Sequence, residues 1–169
     1  MEDIEIYKAK PGDEKILAYI QAESWKAAFA EILTAQELKR CTDLEKCKEM
    51  YQKVLEHSEI SIWIEKVDKK PHCIAAWSHN RDKLGKDVAE LICIHSLKEK
   101  WHQGYGTLMM RHVLGEMKKA GYVKVVLWVF EKNLRARAFY EKQEFVQDGR
   151  RQINEISEIM YLKNLVTDS

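Results

Sequence analysis

Proline and glycine are scarce in this chain, with two and seven residues among 169. No stretch is rich enough in either to serve as a linker, and no repeat or low-complexity tract occurs, so no internal domain boundary is expected. Cys41, Cys47, Cys73 and Cys93 show no C-x-x-C spacing and sit in apolar-periodic segments. That pattern argues for reduced thiols in a cytoplasmic protein and against a disulfide framework or a metal site. An excess of one charge is also missing: 28 Lys and Arg stand against 27 Asp and Glu, a net of +1. The sequence therefore makes no electrostatic case for nucleic acid or an anionic membrane as partner. No run of about 18 apolar residues occurs that could span a membrane. The opening Met-Glu-Asp-Ile-Glu is acidic and lacks an apolar signal region, which argues against secretion. The phosphate-loop string Gly-x-x-x-x-Gly-Lys-Ser/Thr is absent as well.

What is present is an ordinary soluble composition, 46% apolar and 33% charged, of a length that one domain with a sizeable core accommodates. Residues 3–9 alternate as a strand, and Pro11-Gly12-Asp13 turns the chain into a helix. Leu17, Ile20, Trp25, Phe29, Ile32 and Leu33 form its buried side. Thr34-x-x-Glu37 and Thr42-x-x-Glu45 each match a capping box, so two further helices are expected to begin there. Leu38, Cys41, Cys47, Tyr51, Val54 and Leu55 supply their apolar faces. Residues 60–67 alternate as a strand, with Ile60, Ile62 and Ile64 on one side and Ser61, Trp63 and Glu65 on the other. Asp68-Lys-Lys-Pro71 turns into an antiparallel partner at 72–79, and residues 81–87 read as a solvated loop.

Strand 88–97, helix 105–120 and strand 123–130 form a βαβ unit with a parallel pair. Asn133 is an N-cap for a helix over 134–142. Strands 144–148 and 156–163 close the sheet around a Gly149-Arg-Arg turn.

The most informative stretch runs from Glu90 to Arg111. A buried strand leads into Trp101-His-Gln-Gly-Tyr-Gly106, and Leu108, Met109, Val113, Met117 and Ala120 then recur at helical spacing. A glycine-bearing turn feeding a helix leaves backbone N–H groups free at the positive end of the helix dipole, which suits a phosphate. The dinucleotide fingerprint needs a third glycine where Met109 stands, so a Rossmann nucleotide site is disfavoured.

The turn resembles motif A of the GNAT superfamily of acetyl-CoA-dependent N-acetyltransferases, Gln/Arg-x-x-Gly-x-Gly/Ala. About one βα repeat later, Asn133, Ala136, Phe139, Tyr140 and Phe145 stand in register with motif B, Asn-x-x-Ala-x-x-Phe-Tyr-x-x-x-Gly-Phe. Trp25 and Phe29 sit where many members carry an aromatic pair. The resemblance implies an α/β (α+β) fold of the GNAT type. Its sheet would be mixed and mostly antiparallel, of about seven strands with a central parallel pair, flanked by helices on both faces.

It also implies direct acetyl transfer from acetyl-CoA to a primary amine, small or on a peptide or protein, with no metal and no covalent enzyme intermediate. Homodimerisation is common in the family, but no feature of this sequence establishes it. The implied catalytic residues are Glu90 as base and Tyr140 as the acid for the thiolate. Ile94, His95 and Ser96 would lie along pantetheine, with the main-chain groups of Ile94 and Ser96 pairing to it. His102, Gln103, Gly104, Tyr105, Gly106 and Thr107 would hold the diphosphate, and Asn133, Ala136 and Phe139 would meet the cofactor from the second helix. His95 is a second candidate base, and Arg135 and Arg137 are candidates for the adenosine phosphate. Four positions depart from the pattern: Lys98 stands where many members have proline, Trp101 replaces Gln/Arg, His102 a common glycine and Glu144 the glycine before the closing Phe. A local turn different from the family's is expected at Glu144. Alternatives are the same fold with another acyl-CoA, or a catalytically silent acetyl-CoA-binding domain.

Overall fold

The computed structural model describes residues 1–165. The elements are β1 (Ile4–Lys8), α1 (Glu14–Phe29), α2 (Ala35–Cys41), α3 (Leu44–His57), β2 (Ser61–Val67), β3 (Lys70–His79) and β4 (Val88–Ser96). A single 3-10 turn at Lys98–Lys100 follows, then α4 (Tyr105–Lys119), β5 (Lys124–Phe130), α5 (Leu134–Lys142), β6 (Val146–Ile153) and β7 (Ile156–Asn164). The seven strands hydrogen-bond in the order β1-β2-β3-β4-β5-β7-β6. β4 and β5 run parallel, from Val88 opposite Lys124 to Glu90 opposite Val126. The β1–β2, β2–β3, β5–β7 and β6–β7 pairs are antiparallel. Among the described residues no helix is long and apolar enough to cross a membrane.

The chain divides into two compact units. The first comprises Met1–Trp77 and Cys93–Val113, and the second comprises Ser78–Ile92 and the chain from Leu114 onward. In the first, His72 to Trp77 are buried without a break. Successive strand residues point to opposite faces, so this part of β3 is covered on both. Leu17 and Ile20 of α1 are fully buried, each contributing roughly 1.5–3 kcal/mol of apolar burial. The α1–α3 pair also encloses a polar contact, Tyr51 donating its hydroxyl to Gln21 Oε1.

Two expectations fail here for local reasons. Thr34 and Glu37 do form a reciprocal capping box at α2, but Thr42 does not begin α3. It closes α2, its hydroxyl donating to Leu38 O at 2.7 Å, and the adjacent Asp43 caps α3 by accepting from Lys46 N. Glu65, placed on a polar face by the alternation, is 0% exposed. The register of β2 with β3 shifts between Glu65 and Lys66, and the face carrying Trp63 is covered by α4, whose His112 meets the Trp63 ring at 4.3 Å.

The second unit packs Val125, Val126, Leu127, Ile159 and Tyr161 into its core. Its closing hairpin turns at Asn154 and Glu155, both with positive φ, and not at Gly149. Gly149 lies inside β6 at a register shift, where a Cβ would meet Met160 Cε at 3.4 Å. Glu144 adopts φ 69°, a left-handed conformation that glycine takes freely. The strain is about 1 kcal/mol or more for a non-glycine residue.

Candidate active site

In the first unit, β4 delivers Ile94, His95 and Ser96 to the turn that opens α4. The turn is held by its own side chains. Trp101 Nε1 donates to Ser96 O at 2.9 Å and Gln103 Nε2 to Glu99 O at 2.8 Å. His102 and Gly104 both take left-handed backbone, φ 62° and 87°, which explains why glycine would be favoured at either place. A Cβ on Gly104 would meet nothing within 4 Å, so the backbone there is open to a ligand.

The first bond of the α4 ladder runs from Leu108 N to Gly104 O. Helix geometry gives the preceding amides no partner within the helix, and glycine has no side chain to cap them. His102, Gln103 and Gly104 are exposed, Gly106 and Thr107 half-buried and Tyr105 buried. Hydrogen bonding to Glu2 pushes the Tyr105 hydroxyl up to about 12, so it is neutral near pH 7. The arrangement offers N–H groups and a helix dipole to an anion without any lysine between Trp101 and Arg111.

His95 is paired within the same unit. Trp25 Nε1 donates to its Nε2 at 2.9 Å, and the Trp25 ring stands edge-on to Phe29 at 5.1 Å. An indole N–H can only donate, so Nε2 is committed as an acceptor and does not collect a substrate proton in this arrangement. Sequence reading paired Trp25 with Phe29 but missed its bond to His95, because the two lie 70 residues apart.

In the second unit Glu90 is 1% exposed. Arg81 donates to it three ways: its backbone N to Oε1 at 3.0 Å, its Nε to both oxygens at 3.2 Å, and its Nη2 to Oε2. The Arg81 side chain is 59% exposed, so the guanidinium end reaches solvent. The supposedly solvated loop after β3 is thus anchored, and Asp82 fastens it further by accepting Trp128 Nε1 at 2.8 Å. A basic residue two positions past a strand, with a lone acid early in the next, was the only sequence signal for this pair.

Asn133 caps α5, its Oδ1 accepting from Ala136 N at 3.2 Å. Ala136 and Phe139 are half-buried on that helix and Tyr140 is 8% exposed. The Tyr140 ring lies 5.6 to 6.2 Å from those of Phe139, Phe145 and Tyr161, which fixes its orientation. Arg137 is tied to its own unit, donating to Tyr161 Oη and Glu131 O. Among the described residues no three His, Cys, Asp or Glu side chains converge as metal ligands would, and all four cysteines are free.

Known proteins carry the same framework. The acetyltransferase (GNAT) family matches residues 17–145. A protein of Mycobacterium tuberculosis named as a probable N-acetyltransferase is 27% identical over 149 residues, 88% of this chain and 83% of that protein. The PaiA N-acetyltransferase of Thermoplasma acidophilum, solved with coenzyme A, superposes with a TM-score of 0.74 at 21% identity, covering 94% of this chain and 98% of its own. The ribosomal-protein-S18-alanine N-acetyltransferase of Escherichia coli gives 0.71 at 17% identity, covering 99% and 97%. At these identities the structures speak to the fold alone, and the match over 17–145 carries the classification. The chain belongs to the acetyltransferase (GNAT) family and is an acyltransferase.

Proposed function

We propose that this protein transfers the acetyl group of acetyl-CoA directly to a primary amine. The carrying observation is the entry to α4: left-handed, exposed backbone at Gly104, where a Cβ would meet nothing within 4 Å. The amides of residues 102–107 bind the diphosphate. The main-chain groups of Ile94 and Ser96 pair with pantetheine, Ser96 O through the lone pair that Trp101 does not use. Asn133, Ala136 and Phe139 contact the cofactor from α5.

The chemistry assigns the remaining roles. An alkylammonium, with a pKa of about 10.4, has no lone pair and must lose a proton before it attacks. The amine nitrogen then bonds to the thioester carbonyl carbon, the C–S bond breaks, and the departing thiolate takes a proton. Tyr140 supplies that proton, its ring fixed by three aromatic neighbours.

Glu90, alone or through water, accepts the amine proton. Its pairing with Arg81 favours the relayed form: both oxygens are held, and a water at the guanidinium can carry the proton. The alternative in which the domain binds acetyl-CoA without turnover predicts intact CoA binding and no thiol release with any acceptor. The acceptor is a small-molecule or protein amine, and no metal takes part in the proposed route. The deciding experiment is a thiol-release assay with acetyl-CoA, and in parallel with longer acyl-CoA thioesters, against a panel of polyamines, amino acids, aminoglycosides and peptide N-termini. Release above background with acetyl-CoA and at least one amine is expected. Release with none, while CoA binds, leaves the silent domain. Release only with a longer thioester replaces acetyl by that acyl group.

A further inference from the structure

Beneath the opening of α4 the first unit buries a pair of charge-bearing groups that the transfer chemistry does not use. Glu65 of β2 is 0% and His72 of β3 2% exposed. His72 Nε2 lies 2.9 Å from Glu65 Oε1, but no aligned hydrogen bond satisfies either side chain. Such a pair is a poor source of stability, since well-packed apolar residues in its place are often as stable or more so. Its position suggests a different use.

The His72 ring lies 4.9 Å from the ring of Tyr105, the first residue of α4. The His72 carbonyl accepts from Leu97 N at 2.9 Å. One residue of β3 therefore touches both ends of the turn that runs from Leu97 to Tyr105, and that turn contains the left-handed His102 and Gly104. Tyr105 also has Lys100 Nζ 5.8 Å over its ring. Further along the same helix, His112 meets Trp63, so α4 rests on a row of rings from β2 and β3.

We propose that His72, buried beside Glu65, is a positioning residue for the diphosphate turn: its ring fixes Tyr105 and so the aim of the amides that open α4. This rests on the reading of that turn as the coenzyme A site. The pair acts on cofactor affinity and leaves the chemical step alone. Amides already aimed need no ordering when the anion arrives.

The test is calorimetric titration of the full chain with coenzyme A, supported by KM and kcat for acetyl-CoA with whichever amine the panel yields. The variant Glu65→Leu/His72→Leu removes ring and charge together while keeping the site apolar. Its Kd for coenzyme A and its KM for acetyl-CoA are expected to rise about tenfold, with kcat within about twofold; on the affinity scale that is about 1.4 kcal/mol. The variant Glu65→Leu/His72→Phe returns a ring to Tyr105 and is expected to recover most of the affinity. Val129→Ala, a core truncation in the second unit, reports the effect of lost stability alone and should leave Kd unchanged. Should the leucine pair fail to fold, Tyr105→Leu against Tyr105→Phe asks the same question from the helix side.

An unchanged Kd in a folded ring-less variant overturns the proposal. So does a loss that the phenylalanine variant does not repair, or one that Val129→Ala reproduces. Wild-type protein that gives no heat with coenzyme A sinks the reading of the turn itself, a different failure from these.

Discussion

The helices α4 and α5 each follow a strand, and they open differently. α5 begins at Asn133, whose side chain caps the Ala136 amide. α4 begins after Gly104, which has no side chain to offer and stands in left-handed, exposed backbone. A helix start always leaves several N–H groups without intrahelical partners. Where the protein satisfies one itself, as at α5, the end is stabilised by about 1 kcal/mol and is less available to an anion. Where glycine precedes the helix, as at α4, no side chain from that position competes with a ligand. The difference divides the proposed labour: α4 binds, while α5 carries the side chain that acts, Tyr140.

Exchanging these properties one at a time tests the division. The largest effect is expected from Tyr140→Phe, which removes the acid but keeps the ring in its aromatic cluster. General acid–base contributions are typically 10²-fold or more, so kcat should fall by about that factor while the Kd for coenzyme A stays within about twofold. Rapid-quench turnover beside calorimetry would show whether the loss is confined to chemistry.

Gly104→Asp comes next, giving α4 a carboxylate where its ligand's diphosphate is proposed to sit. The Cβ finds open space, so the fold should persist at a strain of about 1–2 kcal/mol. Coenzyme A affinity should weaken at least about tenfold, and less so at high salt because exposed charges are screened.

Asn133→Ala strips the cap from α5 and should lower stability by about 1 kcal/mol, or roughly 2–4 °C in melting temperature for a chain of this size. Its effect on coenzyme A affinity should be smaller than that of Gly104→Asp, and the reverse order would undo the comparison.

The smallest effect concerns pH. Tyr105, at the first turn of α4, is held up to about 12 by its bond with Glu2, against about 10 in an unfolded chain. The folded state keeps this proton longer. Its contribution is therefore complete below about pH 10 and is lost as pH rises toward 12. Thermal melts between those values should fall less steeply for Tyr105→Phe than for wild type.

Much of this framework is legible in the sequence because it depends on local chemistry. The alternation in β2, the helical spacing after Gly106, the Thr34–Glu37 box and the Asn133 cap each act within a few residues. The motif positions come from the resemblance to the family's motifs. What escaped was decided by competition or by distance. Thr42 and Asp43 are adjacent capping candidates, and Asp43 prevailed at α3 while the Thr42 hydroxyl turned back to Leu38. The last hairpin turns on Asn154 and Glu155, while Gly149 lies inside β6 at a register shift against β7. Glu65 reads as a surface residue until the cover of α4 over β2 is known. The Arg81–Glu90 and Trp25–His95 contacts depend on how strands and helices meet, and no spacing rule announces them. At Glu144 the backbone is left-handed, a conformation glycine would take without strain.

The central claim is that backbone amides at the start of α4 hold a diphosphate, and the most direct measurement compares coenzyme A with pantetheine, which lacks that group, by calorimetric titration of the wild-type chain. Two charge-assisted hydrogen bonds of roughly 1.5–3 kcal/mol each predict coenzyme A binding at least about 100-fold tighter. Equal affinities, or no heat from coenzyme A, would contradict the account.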